Sequence, residues 1–592
     1  MIGTFEKQPL HRYNPEQPYP EPAPGPETED VMARKIATGA QSFSFLRENN
    51  AFYIDKTKFI KEWWENLDQI TLITRPRRFG KTLMLDTVRT FFSPEFADHG
   101  DIFEGLSIWK EEKFHKLHGK IPVISLSFAD IKCVTIEKTK YLIKYALENL
   151  YKSYRFLLDC EGFFTNDERT MFASVNRLMS DDMMQIAVKD LSKYLKQFYG
   201  VSPLVLIDEY DTPMQEAWSH NYWDELTSFM RGFFNSTFKT NPYIERGLIT
   251  GITRISRESL FSDFNNLEVI TATSEKYADC FGFTEAEVFE AMDEFDLSEK
   301  QKVKSWYDGF IFGDIHDIYN PWSITQYLAK KRFRPYWANT SSNTMATDLI
   351  GQGDAKIKQL TESLLLGNSI VVNFDEEIVF SQLHEDVGAI WSFLLAAGYV
   401  KVLSYKDEIS EYEIALTNHE VTLIFEKNIK EWFSKPKIAN ITSEFYQALM
   451  QADLRTINSA IQRISIETFS WFDTSGKEPE RFYHAFVLGM LVDLKASYAL
   501  ESNRESGKGR YDIMLIPKDA SKHPGIVIEF KSLDPQRGEK ELADTAKAAL
   551  EQIRSLSYAA SLTARGVPED RILTFGFAFK GKDVLVEGGK AC

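Results

Sequence analysis

One stretch of the sequence combines the residue types that bind a polyphosphate. Apolar residues up to Ile73 predict a buried strand, and Gly80, Lys81 and Thr82 then open a helical run to Phe92. At a strand–turn–helix junction the backbone N–H groups and the helix dipole favour an anion, a lysine neutralises it, and a threonine hydroxyl binds Mg²⁺. The spacing therefore predicts a nucleotide-phosphate site, with a basic turn at a helix start as the simpler alternative.

The residues before Gly80 depart from the usual phosphate loop. Arg75 occupies the position, five residues before Gly80, where the usual pattern has glycine. Arg77, Arg78 and Phe79 follow it and are predicted to line the nucleotide. For the arginines, contacts with phosphate or a partner strand and structural ion pairs with nearby acids are equal alternatives.

Two acids follow an apolar strand further along the chain. Asp208 and Glu209 end the run that begins at Leu204, and Asp211 follows them. An acid at such a position completes the Mg²⁺ shell, and the next one orients or deprotonates the attacking water. We therefore predict Thr82 and Asp208 as magnesium ligands and Glu209 as a catalytic residue. The simpler interpretation is a strand that meets a loop.

Arg254 is a further candidate at the same site. It follows the apolar run that begins at Arg246 and lies beside Thr250 and Thr253. A residue at this end of a doubly wound sheet faces the γ-phosphate, so Arg254 is a candidate sensor or charge-stabilising group. A surface arginine in an ion pair is an equal alternative.

A second group of acids with a lysine lies near the end of the chain. Glu529 and Lys531 are two residues apart, so a strand places both on one face, while Ile528 and Phe530 point into a core. Asp512 begins the neighbouring strand and meets Glu529 in space. Such carboxylates bind one or two Mg²⁺ or Mn²⁺ ions that activate water against a phosphodiester, and the lysine stabilises the developing charge. The simpler interpretation is a solvated strand face.

Three more residues are candidates at that second group. Glu505, before the predicted hairpin, is a further metal ligand or a loop acid. His484, on the first predicted helix, approaches the site or lies on the helix surface. Gln552, on the helix after Lys531, contacts a base or a phosphate, or is exposed.

Strands and helices alternate in the first half of the chain. Short, continuously apolar runs are typical of parallel strands buried on both faces. Their alternation with helical periodicity predicts an α/β domain with a doubly wound parallel sheet. The predicted strands are 70–73, 122–128, 204–209, 246–254 and 268–272, and the predicted helices include 56–67, 83–92, 136–154 and 184–199.

The pattern changes twice after residue 283. Residues 284–343 are predicted to be helical and rich in aromatic residues, like a lid; then 390–397, 398–402 and 412–416 predict a helix and a small hairpin, and 440–466 connecting helices. The last part predicts the order α-β-β-β-α-β, with segments 481–497, 498–501, 511–517, 525–531, 539–562 and 571–579. The predicted divisions are a proline-rich tail 1–34, a P-loop domain 35–283, a helical lid 284–345, a helical, winged-helix-like connector 346–470 and a C-terminal domain 471–592.

Bulk properties limit the classes of function. The chain has 592 residues and a formal net charge of -17, so contact with nucleic acid requires a local basic groove on an acidic body. The four cysteines are too dispersed for a zinc site or a disulfide framework. No run reaches the roughly 18 apolar residues of a membrane span, and no signal-peptide core is recognisable. We expect a cytoplasmic protein without membrane contact.

Several segments together resemble the prokaryotic AAA-ATPase-like family, whose members often carry a C-terminal nuclease-like domain. They are Phe52-Tyr-Ile-Asp-Lys-Thr57, Arg75-Pro-Arg-Arg-Phe-Gly-Lys-Thr82, Leu206-Ile-Asp-Glu-Tyr-Asp211, Gly247-Leu-Ile-Thr-Gly-Ile-Thr-Arg254, Phe261-Ser-Asp-Phe-Asn-Asn266, Trp306-Tyr-Asp-Gly309, Tyr319-Asn-Pro321 and Trp337-Ala-Asn-Thr-Ser-Ser-Asn343. The C-terminal part is similar to PD-(D/E)XK nuclease superfamily domains through Gly509-Arg-Tyr-Asp512 and Glu529-Phe-Lys531. The resemblance covers most of residues 35–590.

The resemblance implies a P-loop NTPase domain and a restriction-endonuclease-like domain. It implies the usual ATP-binding roles for Lys81, Thr82, Asp208 and Glu209, and nuclease roles for Asp512, Glu529 and Lys531. An arginine in place of the loop's first glycine is normal in the ATPase family. The nuclease family's helix often has Gln and Tyr four residues apart; here Leu556 stands at that spacing and Tyr558 two residues later, which weakens a strand-binding role for Gln552.

Two functions from different classes follow from these sites. The first is an ATP-regulated, Mg²⁺-dependent nuclease acting on DNA in preference to RNA, in which ATP moves the lid, within a homo-oligomer or a single chain. The second is a nucleotide-driven signalling or assembly switch whose nuclease-like domain binds nucleic acid or a partner without cutting. The intact set Asp512, Glu529 and Lys531 favours the first. A role in genome defence or mobile-element biology fits both, without a direct sign in the sequence.

Overall fold

The structure of the protein, a computed structural model, begins at residue 34. It describes residues 34–255, 260–261, 264–337, 346, 349–350, 355–365, 367–376, 387–425, 436–468, 487, 491–502, 505–506, 509–510, 512–534, 538–556, 558–580 and 583–590. The proline-rich residues 1–33, His484 and most of the helix predicted at 481–497 therefore lie outside the described residues.

Five short parallel strands form the central sheet of the N-terminal part. They are β1 (Ile70–Thr74), β2 (Val123–Ser127), β3 (Leu204–Asp208), β4 (Arg246–Gly251) and β5 (Leu267–Ile270). Their order is β2-β3-β4-β1-β5. Val205 and Ile207 pack into one apolar cluster, whereas Leu204 and Leu206 pack into another. Alternate residues thus face opposite sides of the sheet, and the predicted doubly wound α/β fold is confirmed.

Helices on both faces supply these two clusters. They are α1 (Phe43–Glu48), α2 (Lys58–Glu65), α3 (Lys81–Phe92), α4 (Glu112–His115), α5 (Ile136–Ser153), α6 (Phe156–Asp159), α7 (Asn166–Ser174), α8 (Asp181–Tyr199), α9 (Thr212–Ser219) and α10 (Trp223–Phe234). Strand β4 lies between β1 and β3. Because the strands are parallel, their carboxyl ends meet at one edge, which brings the loop after β1 beside Asp208 and Thr250.

The lid combines helices with a small antiparallel sheet. Its elements are β6 (Phe283–Thr284), α11 (Glu285–Glu294), α12 (Lys300–Tyr307), β7 (Asp308–Phe312), β8 (Ile315–Tyr319) and α13 (Pro321–Lys330). The strand order is β6-β8-β7. The hairpin of β7 and β8 departs from the all-helical prediction: Gly313 adopts φ 52° at its turn, and Phe310 and Phe312 pack inward together.

A middle module follows the lid. It contains α14 (Ala355–Leu365), β9 (Ile370–Asn373), α15 (Val387–Ala397), β10 (Val400–Lys406) and β11 (Glu411–Leu416). The three strands form an antiparallel sheet in the order β10-β11-β9. Trp391 and Ile414 of this module share one apolar cluster with Tyr210 of the N-terminal domain. The module is thus packed onto the first domain.

The C-terminal domain is built on a mixed sheet. Its elements are α16 (Pro436–Gln451), α17 (Leu454–Thr468), β12 (Tyr498–Ser502), β13 (Glu505–Ser506), β14 (Gly509–Arg510), β15 (Ile513–Pro517), β16 (Gly525–Ser532), α18 (Leu542–Ser555), α19 (Tyr558–Thr563), β17 (Ile572–Lys580) and β18 (Asp583–Lys590). The main sheet has the order β12-β15-β16-β17-β18, with only β16 and β17 parallel. In the main sheet the succession of three strands, helix and strand occurs as predicted. The structure has two helices in place of the single one at 539–562, and it adds the small hairpin of β13 and β14 and the strand β18.

Helices α16 and α17, which precede the predicted C-terminal domain in sequence, pack against its sheet. Phe445 and Ile461 pack in one cluster with Phe530 and Phe577 of the sheet. Asn458 also exchanges hydrogen bonds with the backbone of Val586, at 2.7 and 2.8 Å. The helices predicted as connectors at 440–466 therefore form part of the C-terminal core, ahead of the predicted boundary at 471. Within the described ranges, no helix combines the length and apolar character needed to cross a membrane.

Candidate functional sites

The phosphate loop spans Arg75 to Gly80, between β1 and α3. Arg78 and Gly80 adopt left-handed backbone conformations, with φ 67° and 81°. Gly80 is the residue that starts α3, and a left-handed turn there suits glycine because it has no Cβ. The loop therefore turns sharply enough to present the amino end of α3, where an anion is favoured.

Lys81 is held by the backbone of the loop that precedes it. Its Nζ donates to the carbonyl oxygens of Arg75, at 2.8 Å, and Pro76, at 3.0 Å. Burial lowers the pKa of Lys81, and the carboxylates of Glu209 and Asp208 oppose that shift. The ammonium group thus lies inside the loop, where a phosphate would replace carbonyl partners.

Thr82, Asp208 and Thr250 form one hydrogen-bonded group at the sheet edge. The Thr82 hydroxyl donates to Oδ2 of Asp208 at 2.7 Å, and the Thr250 hydroxyl donates to Oδ1. Burial raises the pKa of Asp208, and these two hydrogen bonds oppose the shift. A hydroxyl and a carboxylate in contact are hard oxygen donors, so this pair fits Mg²⁺. Thr250, named in the sequence only as a neighbour of Arg254, thus contacts Asp208 together with Thr82.

Glu209 and Asp211 have different tasks. Glu209 has a left-handed backbone, φ 50°, and its carboxylate accepts from the Thr212 hydroxyl at 3.1 Å. Asp211 is fully buried and accepts from the backbone and hydroxyl of Thr253, at 2.8 and 2.6 Å. Asp211 therefore fixes the chain just before Arg254, while Glu209 stays half-buried beside Lys81.

Arg254 lies at the junction with the middle module. It lines a cavity together with Pro76 of the loop, Thr271 after β5, Glu376, and residues of α15. The structure thus brings Arg254 to the loop edge of the sheet, as predicted, but on the side that the middle module covers.

Arg75 is bonded to backbone carbonyls, which differs from the ion-pair alternative with Glu209 and Asp211. Arg75 is buried; its Nη1 donates to the carbonyls of Thr74 and Thr271, at 2.9 and 2.6 Å. Its guanidinium also lies 4.3 Å from the ring centre of Phe312 in the lid, and burial lowers its pKa to about 10. Arg75 therefore anchors the loop to the segment after β5 and to the lid.

Arg78 and Phe79 both contact the lid. The Arg78 side chain is exposed and stacks over Trp322, 4.4 Å from the ring centre. Phe79 is buried edge-to-face against Phe310, with 4.7 Å between ring centres. A contact of Phe79 with nucleotide would therefore come from its backbone.

Two lid residues that sequence reasoning did not assign to the site hold the loop carbonyl of Arg77. Asn320 donates to it from Nδ2 and Trp337 from Nε1, each at 3.2 Å. Both residues belong to segments that carried the family resemblance, Tyr319-Asn-Pro321 and the segment starting at Trp337. Their presence in those segments was the available signal.

The second site lies on one face of β16. Ile513 pairs with Ile528 in the register of β15 and β16, which places Asp512 beside Glu529. Asp512 accepts from the backbone N–H of Phe530 at 2.8 Å, and Glu529 is only 3% exposed. Two neighbouring carboxylates supply hard oxygen donors, which fits Mg²⁺ or Mn²⁺.

Gln552 joins the acid and the lysine of this face. Its Nε2 donates to Oε1 of Glu529, and its Oε1 accepts from Nζ of Lys531 at 2.8 Å. The side chain is half-buried and contacts two of the three predicted nuclease residues, Glu529 and Lys531. Tyr558, which stands two residues beyond the family's usual tyrosine position, is fully buried in the core.

A close approach of α18 to the sheet makes that bridge possible. Glu529 pairs in register with Gly576 of β17, and a Cβ at Gly576 would lie 2.5 Å from the carbonyl oxygen of Ala546 in α18. A side chain there would push the helix away. Glu505 lies in β13, but its side chain, like His484, is outside the described part of the chain.

An acidic cluster in the lid has a different explanation. The carboxylates of Glu285, Asp308 and Asp317 have oxygen atoms within 4.8 Å of one another. Lys304 forms ion pairs with all three. Burial, followed by the neighbouring Asp317, raises the pKa of Asp308 to about 7. The single ammonium group offsets part of the negative charge, and the ion pairs tie α11, α12 and the lid sheet together.

Comparisons with known proteins agree with this arrangement. Residues 37–261 match the family model "Predicted AAA-ATPase", and residues 478–588 match the family model "PD-(D/E)XK nuclease superfamily". A curated relative from Azotobacter chroococcum mcd 1, "Uncharacterized protein in vnfD 5'region", is 24% identical over 561 residues, which are 91% of this chain and 95% of the relative. The similarity extends over both domains and the segments between them.

Proposed function

Because the chain joins an AAA-ATPase-like domain to a PD-(D/E)XK nuclease superfamily domain, we propose that it is an ATP-dependent, Mg²⁺-dependent nuclease that cleaves phosphodiester bonds, in DNA in preference to RNA. One observation carries the proposal: Glu529 and Lys531 share a face of β16 beside Asp512, directly before β15, with Gln552 contacting the first two. A domain that only bound a partner would have no need to keep this set positioned.

The roles at the nucleotide site follow from the contacts of each residue. Lys81 neutralises the β- and γ-phosphates, and Thr82 with Asp208 holds Mg²⁺. Glu209 orients the attacking water from its half-buried position beside Lys81. Thr250, which donates to Asp208, keeps that carboxylate turned towards the loop.

At the second site the protein positions a metal and a lysine. Asp512 and Glu529 would hold Mg²⁺ or Mn²⁺, which when bound generates a nucleophilic hydroxide near neutral pH. Lys531 stabilises the negative charge that develops on the phosphate. Gln552 positions both Glu529 and Lys531, because it hydrogen-bonds each of them.

The proposal includes partners and a location. Because the formal net charge is -17, the chain would bind DNA through a local basic groove. It would act either as a homo-oligomer or as a single chain. The described cysteines, Cys133, Cys160 and Cys280, are free thiols, which supports a cytoplasmic location.

The test is cleavage by the purified full-length protein. Labelled DNA and RNA, single- and double-stranded, are incubated with Mg²⁺ or Mn²⁺, with and without ATP. We expect DNA cleavage that ATP changes and that Asp512→Asn lowers by on the order of 10²–10³-fold. Undiminished cleavage in Asp512→Asn would contradict the proposal. ATP-driven assembly in the absence of cleavage would instead favour a nucleotide-dependent switch.

A further inference from the structure

A short segment after β11 connects the middle module to the lid. Asn418 donates from Nδ2 to the carbonyl of Tyr307 at 3.1 Å, and the His419 ring meets Trp306 edge-on, 4.8 Å between centres. A Cβ on Gly309 would lie 2.0 Å from the carbonyl oxygen of Thr417. The lid and this segment, residues 417–420, are therefore in direct backbone contact.

Glu420 is the buried end of this segment. It is 2% exposed, and its carboxylate accepts from the backbone N–H of Trp337 at 2.6 Å and from the Ser323 hydroxyl at 2.7 Å. Both donors belong to the lid side, one on α13 and one beyond it. A buried carboxylate with two charge-assisted hydrogen bonds holds its partners in a narrow range of positions.

The two residues that Glu420 holds are connected to the phosphate loop, Trp337 by its own hydrogen bond and Ser323 through Asn320 of the same helix start. Trp337 also donates from its indole Nε1 to the carbonyl of Arg77. Asn320, three residues before Ser323 and at the start of α13, donates to the same carbonyl. A movement of the Arg77 peptide therefore shifts α13 and Trp337, and with them Glu420.

The middle module continues this connection towards the C-terminal domain. The module also contacts the loop directly, since a Cβ on Gly398 would lie 2.8 Å from the Pro76 ring. At its far side, the carbonyl of Leu365, the last residue of α14, accepts from Nζ of Lys495 at 3.4 Å. Lys495 lies three residues before β12 of the nuclease-like sheet.

We propose that Glu420 is a positioning residue that couples the nucleotide state of the phosphate loop to the middle module, through Trp337, Ser323 and the Arg77 carbonyl. The inference rests on the proposed function, because it requires that the loop binds ATP. It assigns to the middle module the task of carrying the nucleotide state towards the nuclease-like domain.

Hydrogen–deuterium exchange of the full chain tests the coupling. Exchange is followed in peptides of the loop and α3, and in peptides of β10 and β11, with and without a non-hydrolysable ATP analogue and Mg²⁺. In the wild type we expect the analogue to protect the loop and to change exchange in β10 and β11. In Glu420→Gln the loop should still be protected, while the change in β10 and β11 falls by at least about fivefold, the lower end of typical allosteric coupling.

Two other variants separate coupling from loss of structure. Glu413→Gln is the matched control, because Glu413 lies on β11 and bonds Ser369 and Ser404 within the module; it should respond like the wild type. Trp337→Phe keeps a ring but removes the indole donor to Arg77, so it should weaken the response as Glu420→Gln does.

The outcomes distinguish this inference from the proposed function. An unprotected loop in the wild type overturns the nucleotide proposal and the coupling with it. A protected loop with an unresponsive module in the wild type, or an undiminished response in Glu420→Gln, overturns the coupling alone.

Discussion

The lysine of the phosphate loop and the lysine of the C-terminal strand are held in different ways. Lys81 is buried and bonded to backbone carbonyls of its own loop, and that loop is held in turn by Asn320 and Trp337 of the lid. Lys531 is half-buried and bonded to one side chain, Gln552, on a helix of the same domain.

This difference shows how far a change at each site should reach. The loop geometry depends on the sheet, the lid and the middle module. Gly251 of β4 and two lid side chains bond the loop backbone, and Gly398 of the middle module packs against the Pro76 ring. At the second site, the described contacts of Asp512 and Gln552 are with residues of the C-terminal domain. We therefore expect a perturbation of the first site to spread between domains and one of the second to stay local.

The test with the largest expected effect inactivates each site in turn and measures both activities. Asp512→Asn should lower cleavage on the order of 10²–10³-fold and leave ATP hydrolysis unchanged, since Asp512 bonds the backbone of Phe530 in the C-terminal sheet, far along the chain from the phosphate loop. Lys81→Ala should reduce ATP hydrolysis on the order of 10²–10³-fold. Steady-state ATPase assays and DNA cleavage are measured on both. A large loss of ATP hydrolysis in Asp512→Asn would show that the sites are not separable in this direction.

The second test concerns the pH dependence that Glu420 gives to the stability of the fold. Burial raises the pKa of Glu420 from its usual 4.5 to about 7, against opposing hydrogen bonds from Trp337 and Ser323. Because the pKa of Glu420 is higher in the folded protein than in the unfolded chain, protonation of Glu420 stabilises the fold. This stabilisation is fully present below about pH 4.5 and is lost as pH rises through about 7. The unfolding free energy of the wild type minus that of Glu420→Gln should therefore fall by up to about 3 kcal/mol between those limits.

That difference is measured by urea denaturation of both proteins at a series of pH values. Glu413→Gln, on the same module, is the control for a general effect of losing a carboxylate. A flat difference between the wild type and Glu420→Gln would show that the Glu420 carboxylate does not titrate in this range.

At the second site the test is the amide bridge. Gln552→Ala should lower cleavage about 10–100-fold, as is typical when a group that orients a metal ligand is lost. Glu551→Ala, the exposed neighbour on α18, is the matched control and should cleave like the wild type. DNA affinity is measured in parallel by fluorescence anisotropy. Weakened affinity with an unchanged maximal rate would identify Gln552 as a strand-binding residue instead.

The smallest expected effect concerns the packing beneath that bridge. Gly576→Ala should destabilise the protein by about 1–3 kcal/mol, because the new Cβ would meet a helix carbonyl that cannot move without shifting α18. Gly525→Ala meets only side-chain carbons of Leu562 and Val567, at 3.0 to 3.3 Å, and should be milder. Chemical denaturation of both variants is the measurement. Equal effects would show that α18 does not approach the sheet as closely as described.

The sequence could predict elements whose pattern is local. The apolar run before Asp208 predicted β3, and the structure has that strand at Leu204–Asp208. The hairpin at 308–319 was predicted as helix, because its aromatic residues give no clear period-2 signal. Strand β18 was not predicted, since Gly588 and Gly589 interrupt it. The helices at 436–468 were predicted, but their amphipathic pattern does not say which sheet they cover.

By itself the sequence determined which residue types stand at each position and which share a strand face. Glu529 and Lys531 must point the same way because a strand repeats every two residues. Only the tertiary structure decided that Thr250 faces Asp208, that Gln552 joins Glu529 to Lys531, and that the carbonyl of Arg77 is held by residues 243 and 260 positions later. Such contacts depend on the order of strands in a sheet and on helix packing, which join residues that no local spacing relates.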